Sequence, residues 1–311
     1  MIVTVTPNTG IDRTMIVPEF ELNKTIRASQ CVIGMGGKAT DASWILGKMG
    51  VPNLALGFAA GESGKQMEVM LNERGSLTDF IWVQGETRVN IIIIAEGERG
   101  QSTFTVSTLE VKPDQICSFF NSYEKALTSA SCIIAGGSLP NGVPPSFYQE
   151  LIQKSHQKNI PVIFDASGPG LLAGLSAGPD LIKPNRVELE EITGRQIQPT
   201  LDSVYQAAKK VKNQFGVNVV ATMGSQGALA VLSHTSYFIP GLSLNVVSSA
   251  GAGDGVLAGL SVAYSQKKPI EEGLRLGFAI ASAVLLTPTT ADYDAGEIER
   301  LLPLIQLISY P

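Results

Sequence analysis

Short apolar runs alternate with helical patterns through most of this 311-residue chain, and that alternation limits its fold more than any other feature. Residues 132–138 read CIIAGGS and lead into PPSFYQELIQKSH. Residues 160–167 read IPVIFDAS, 179–185 read PDLIKPN and 217–224 read VNVVATMG. A strand with one wet face would alternate apolar and polar residues. These runs are nearly continuous in apolar residues, as in parallel strands covered on both faces. Between them lie stretches such as 202–215, which sets Val204, Ala207, Ala208, Val211 and Phe215 on one helical face. The repetition predicts an α/β fold with an open, mostly parallel sheet. From Asp254 onward the pattern is mostly helical. Segments 12–33 and 86–106 break the rhythm, being β-like with no intervening helix. The second contains TRVNIIIIAEGERGQSTFTV, a hairpin candidate with its turn near Gly97–Gly100. Together they are expected to form one small sheet, a lid, on a single domain spanning 1–311. There is no internal repeat and no low-complexity linker.

With 44% hydrophobic residues the chain can bury a sizeable core. Its net charge of -5 and pI near 5.2 exclude general attraction to nucleic acid or to an anionic membrane. Any phosphate must be held by a few placed cations and backbone amides. Cys31, Cys117 and Cys132 are odd in number and widely spaced, which points to a reducing compartment without a disulfide frame. His156 and His234 lie far from any cysteine cluster and are read as solvated surface. The opening MIVTVTPN lacks the basic region and apolar stretch of a signal peptide. No segment approaches the roughly 20 apolar residues of a membrane span. A cytoplasmic location is expected.

Residues 248–260 read SSAGAGDGVLAGL. Glycines at a helix mouth let backbone N–H groups converge on an anion. Asp254 beside such a site would repel that anion, unless it takes a proton from the group that attacks it. A plain helix N-cap is the simpler reading of the same acid. GMGGKA (34–39) has the spacing of a dinucleotide loop, but it does not follow the first core strand, and NLALGFAAG ends without the expected acid. GESGKQ (61–66) fits a phosphate loop poorly, with Ala59 for the first glycine and Gln66 for the hydroxyl residue. GGKATDASWILGKMG (36–50) reads as a glycine turn opening a helix with an Ala42, Ile45, Leu46 and Met49 stripe. Lys38 and Asp41 then stand in its first turn. IKPNRVELEEITG (182–194) puts Lys183, Asn185 and Glu188 just beyond a strand, at the sheet edge where open α/β folds bind ligands. Asn185 and Glu188 also fit a capping box. TMGSQGAL (222–229) is a strand end with two glycines, equally explicable as a hairpin turn.

In their order, and over essentially the whole length, these segments resemble the ribokinase/pfkB family of carbohydrate kinases. The closest likeness is to its phosphosugar branch of 1-phosphofructokinases and tagatose-6-phosphate kinases. VTVTPNTGID resembles the family's opening strand with a sugar-binding acid, Asp12. GMGGKATDAS is similar to its Gly-Gly-Lys-Gly motif, GETRVN to the branch's Thr-Arg-x-Asn strand and GGSLPNGV to its Gly-Ser-Leu-Pro turn. IKPNRVELEEITG resembles Lys-Pro-Asn-x-x-Glu, and SAGAGDGVLAGL the C-terminal Gly-Ala-Gly-Asp signature. The chain departs from the family at Ala39 (glycine), Asp41 (asparagine), Gly255 (a small hydroxyl residue or alanine) and Ser248 (often an aspartate). TFTVSTLEV (103–111) lacks the Glu-Pro-Gly of close relatives.

The resemblance implies a ribokinase-like three-layer α/β/α fold with a β lid. It also implies ATP-dependent phosphotransfer to a hydroxyl of a sugar phosphate of the fructose 1-phosphate, fructose 6-phosphate or tagatose 6-phosphate type. Asp254 would be the base, and the amides of Gly251, Ala252 and Gly253 the anion hole. Asp12, Gly36, Gly37, Lys38, Asp41 and Ser138 would hold the sugar, and Lys24 (from the same or the partner subunit), Arg88 and Asn90 its phosphate. The bland reading of Arg88 is an internal pair with Glu86 or another acid. Lys183, Asn185, Thr222, Gly224 and Gly227 would bind ATP, and Glu188 would hold Mg²⁺ through water. Serine at 248 predicts weak or no potassium dependence. The run Ile91–Ile94 is apolar on both strand faces, which predicts a homodimer joined through the lid. The rival readings are a non-catalytic sugar-phosphate or nucleotide sensor and a kinase of an unphosphorylated sugar or nucleoside.

Overall fold

The computed structural model describes residues 1–96 and 100–311. In chain order it forms β1 (Ile2–Asn8), β2 (Gly10–Val17), β3 (Gln30–Gly36), α1 (Lys38–Lys48), β4 (Asn53–Ala59) and α2 (Gly61–Glu73). Then come β5 (Leu77–Trp82), β6 (Gln84–Gly85), β7 (Arg88–Ala95), β8 (Gly100–Phe104), β9 (Leu109–Glu110) and α3 (Pro113–Leu127). The middle of the chain gives β10 (Cys132–Gly137), α4 (Ser146–Gln157), β11 (Val162–Ala166), α5 (Pro169–Leu175), β12 (Leu181–Ile182), α6 (Arg186–Thr193) and α7 (Leu201–Phe215). The last third gives β13 (Asn218–Thr222), β14 (Gly227–Val231), β15 (Ser236–Pro240), α8 (Ala252–Gln266), α9 (Ile270–Val284), α10 (Glu297–Leu301) and β16 (Ile308–Ser309).

Among the described residues the large sheet has the order β16-β15-β14-β13-β12-β11-β10-β1-β4-β5. From β13 to β5 every pairing is parallel, and β14, β15 and β16 extend the other edge antiparallel. Alternate side chains of each strand serve two cores. Ile2 belongs to the core shared with α1, α8 and α9, whereas Val3 and Val5 belong to the core shared with α3, α4 and α7. The nearly continuous apolar runs are thereby explained, since both faces are dry. The helix at 202–215 is α7, and TMGSQGAL is indeed a strand end that turns back as the β13–β14 hairpin.

Two local expectations change. The α1 segment was expected to be amphipathic, but every residue from Ala39 to Gly47 is buried, because the helix lies between the sheet and α8. The terminal stretch is mainly helical but ends in β16, which closes the sheet edge. Gly255 has a packing reason: a side chain there would reach within 2.9 Å of the Ala281 nitrogen, where α8 crosses α9.

The lid is a separate sheet of order β3-β2-β7-β8. Only Thr9 separates the central strand β1 from β2, so the chain runs straight from core to lid. Residues 18–29 form no strand. The hairpin turn expected near Gly97–Gly100 falls on 97–99, outside the described residues. Asp12, Thr14, Asn90 and Ile92 form the buried inner face. Arg13, Met15, Ile91 and Ile93 alternate onto the outer face, beside exposed Ile33 and Phe104.

Candidate active site

The carboxyl ends of β1, β10, β11, β12 and β13 share one edge, since these strands run parallel. There the helix starts of α1, α6 and α8 carry most of the expected residues.

A buried ion network ties three of these elements together. Lys38 Nζ donates to Asp165 Oδ1 at 2.7 Å and to Glu188 Oε1 at 3.0 Å, and Lys183 Nζ lies 3.0 Å from Asp165 Oδ2. The Asn185 N–H donates to Glu188 Oε2 at 2.9 Å, and the Glu188 N–H donates to Asn185 Oδ1 at 3.0 Å. The capping box is therefore real, and it fixes the carboxylate that meets Lys38. Burial works to raise the Asp165 carboxyl, but the adjacent Lys183 and Lys38 ammonium groups override it and hold it below the ordinary range. For Lys38 burial would favour loss of the proton, and the charges of Asp165 and Glu188 raise its pKa instead. Asp165 escaped the sequence reading. Its signal was an acid closing the apolar run IPVIFDAS, since a buried carboxylate there needs a cation.

Asp254 is buried in the first turn of α8. It is not the N-cap. That position belongs to Gly251, whose φ of 80° is left-handed and whose missing side chain makes room for the backbone of Ala291. The Asp254 and Gly255 N–H groups bond back to the Gly251 carbonyl at 3.1 and 3.2 Å. The Ala252 N–H makes only a long 3.4 Å contact to Ser249, and the Gly253 N–H has no backbone acceptor among the described residues. Burial pushes the Asp254 carboxyl up to about 7, with Lys183 and Lys38 opposing and Asp165 reinforcing the shift.

On the lid side, Asn90 Nδ2 donates to Asp12 Oδ1 at 2.7 Å, the two residues being direct neighbours across β2 and β7. Gly36 is required here, because a side chain would come within 2.5 Å of Asp12 Oδ1. Gly37 has a φ of 100° and caps α1. Arg88 sits one pleat from Asn90 on the same face. Its Nη1 donates to Thr105 Oγ1 at 3.2 Å, and its buried Nε has no partner among the described residues. Glu86 does not pair with it. The Glu86 carboxylate instead accepts the Ser63 N–H at 2.6 Å and covers the start of α2, so GESGKQ presents a filled anion site. Ser138 Oγ accepts from Asn8 Nδ2 at 3.0 Å. Asp41 is buried beside Asp254 and Asp12. Lys24 is not brought to this cluster; it is exposed and paired with Glu21 at 2.5 Å.

Beyond Lys183, Asn185, Thr222 and Gly224 line a cavity of about 380 Å³ with Val187, Pro199 and Met223. Gly227 does not line it. Its φ of 99° and the close approach of the Ile239 carbonyl serve the β14 hairpin. His156 pairs with Asp180 at 3.0 Å, away from the cluster, and the three cysteines are free. No described helix is long and apolar enough to cross a membrane.

Comparison with known proteins adds to this geometry. The 1-phosphofructokinase of Bacillus subtilis is 31% identical over 310 residues, covering 99% of each chain. The structure of Escherichia coli phosphofructokinase-2 in complex with potassium superimposes with a TM-score of 0.86 at 25% identity, covering 97% of this chain and 98% of that one. A possible 1-phosphofructokinase from Thermotoga maritima superimposes with a TM-score of 0.89 at 24% identity over the full length of both. The family model described as pfkB family carbohydrate kinase matches residues 3–294, a span that takes in the lid, the ion network and the Gly251–Asp254 loop, and the chain belongs to that family.

Proposed function

We propose that this kinase transfers the γ-phosphoryl group of ATP to a hydroxyl of a ketohexose phosphate of the fructose 1-phosphate, fructose 6-phosphate or tagatose 6-phosphate type. The carrying observation is Arg88. It is a half-buried guanidinium with an unpartnered Nε, on the lid face that also presents Asp12 and Asn90. A buried N–H donor left without a partner is costly unless a ligand completes it, and the planar fork of this guanidinium suits a phosphate. The 1-phosphofructokinase relatives agree with this substrate class.

Asp12 and Asn90 hold sugar hydroxyls. Asp254 takes the proton of the attacking hydroxyl as its oxygen bonds to the γ-phosphorus and the bond to the ADP oxygen breaks. Charge on the transferring group meets the Gly253 and Ala252 amides, the start of α8 and Lys183. The nucleotide occupies the cavity lined by Asn185, Thr222 and Gly224. Glu188 fits a metal held through water: both its oxygens already accept hydrogen bonds, and no group of three or more potential ligands occurs among the described residues. Mg²⁺ entering with ATP would offset phosphate charge there, since it keeps several waters and needs few protein ligands.

The half-exposed outer face of the lid, with Ile91, Ile93, Met15 and Phe104, is where a second copy of the chain would pack. Light scattering at micromolar concentration should give a dimer, and a monomer would remove this assembly. The function itself is tested by ATP turnover against a panel of sugar phosphates and free sugars. A ketohexose phosphate should be far preferred, and Asp254→Asn should lower its turnover by about 10²–10⁴ while retaining ATP binding. Preference for a free sugar, or a variant with near-wild-type rates, would refute the assignment.

A further inference from the structure

Asp41 stands in the first turn of α1 with its side chain buried, and its Oδ1 has no hydrogen-bond partner among the described residues. Helix α1 packs against α8, and the Asp41 carboxyl neighbours the buried Asp254 carboxyl in the first turn of α8. Asp12 faces it from β2 and Arg88 from β7. Two carboxyls in contact in a dry site do not both ionise, so one proton must be held between them.

The surroundings decide which one keeps it. Lys183 and Lys38 face Asp254 and favour its ionised form, against Asp165 on the other side. Asp41 faces two acids, Asp254 and Asp12, and its facing cation, Arg88, also serves Asp12. The negative charge therefore settles on Asp254 and the proton on Asp41.

We propose that Asp41 works as a neutral acid, its O–H donating to the Asp254 carboxylate and fixing the base's orientation while its other oxygen accepts from the sugar hydroxyl. This rests on Asp254 being the base, as proposed above. The direction of the titration agrees. Burial raises both groups, Asp254 to about 7 and Asp41 well above the ordinary carboxylate range, with the charge of Asp254 adding to the second shift. The pair gives up its protons in two steps whose apparent values belong to both residues. The first step arms the base. The second places an additional negative charge beside it and beside an anionic substrate.

The test is the pH dependence of kcat/KM for the wild type, Asp41→Asn and Asp41→Ala. The wild type should rise through the first step and fall through the second. Asparagine is a donor that cannot ionise, so Asp41→Asn should lose the alkaline fall while its peak drops only a few-fold. Asp41→Ala should drop by about tenfold or more, the worth of one net hydrogen bond, with its acid limb moved to higher pH. An alkaline limb identical in wild type and Asp41→Asn overturns the proposal. So does a fall in Asp41→Asn as deep as that in Asp41→Ala. Carboxyl ¹³C NMR of the ligand-free protein reads the same proton without a substrate. One aspartate should stay protonated well above pH 7 in the wild type and vanish in Asp41→Asn; complete ionisation of all aspartates by pH 6 overturns the proposal. Wild-type inactivity on every sugar phosphate would instead strike the functional assignment and leave the NMR result to judge Asp41.

Discussion

Lys183 lies across Gly253, its Nζ 3.0 Å from the point where a side chain on that glycine would begin. The same ammonium group is 3.0 Å from Asp165. One cation thus links the end of the β11 strand to the loop proposed to stabilise the transferring phosphoryl group.

Replacing that glycine should separate catalysis from stability. A methyl group at 253 meets only the tip of a flexible side chain, so the fold can absorb it. In Gly253→Ala the melting temperature should stay near that of the wild type. Turnover should fall by about 10–100-fold, because ångström-scale misplacement of a charge-stabilising group costs on that order. A variant with full activity would show that Lys183 does not act at this glycine.

Arg88→Ala should weaken use of the phosphorylated sugar by at least about 1.5–3 kcal/mol in kcat/KM, the range for a hydrogen bond to a charged group. ATP affinity should hardly change, since Arg88 belongs to the lid and the nucleotide cavity lies beyond Lys183. Equal losses for both substrates would place Arg88 in fold maintenance rather than in phosphate recognition.

The buried acids should leave opposite marks on stability. Asp165 is held below its unfolded value, so its contribution is present at neutral pH and is lost as pH falls through its folded value. Asp254 is raised from 3.8 to about 7, so the native state binds more protons between those values. Its contribution is full below the lower value and is lost as pH rises to the upper one. Thermal melts of the ligand-free protein should therefore show Asp254→Asn gaining on the wild type as pH goes from about 4 to about 7. A constant difference across that window would mean that Asp254 titrates normally.

Exchange of sodium for potassium should change the rate little. Ser248 is buried, and its hydroxyl donates to Gln101 Oε1 at 3.2 Å, an oxygen that also accepts the Ser249 N–H at 3.1 Å. These are neutral groups satisfied by one another, so position 248 itself brings no negative charge to attract a cation. A many-fold activation by potassium would show that backbone carbonyls suffice.

The architecture was legible because burial on both faces of a parallel sheet leaves a local record: IPVIFDAS and VNVVATMG can hardly be anything but central strands. The glycine loop before Asp254 was legible for a similar reason, since the left-handed turn at 251 favours glycine and a side chain there would strike the Ala291 backbone. Short-range chemistry also showed in the Asn185–Glu188 box, three residues apart on one helix start. What no local pattern contains is the meeting of distant segments. Asp165 looks like a strand end until Lys38 and Lys183 arrive from two other elements. Glu86 looks like a partner for Arg88 until the chain turns it onto the start of α2. Lys24 carries the right charge for a phosphate, but its loop leaves it in solvent. Asp41 reads as a helix-start acid or a sugar contact, and only the approach of α8 sets it beside a second buried carboxyl. The sequence by itself determined which segments become strands, helices and glycine turns, because those follow from side-chain period and backbone freedom. Which charges stand alone and which are paired was decided by the tertiary structure, because Coulomb energy in a dry interior depends on distance and burial, and both are set by packing between elements far apart in the chain.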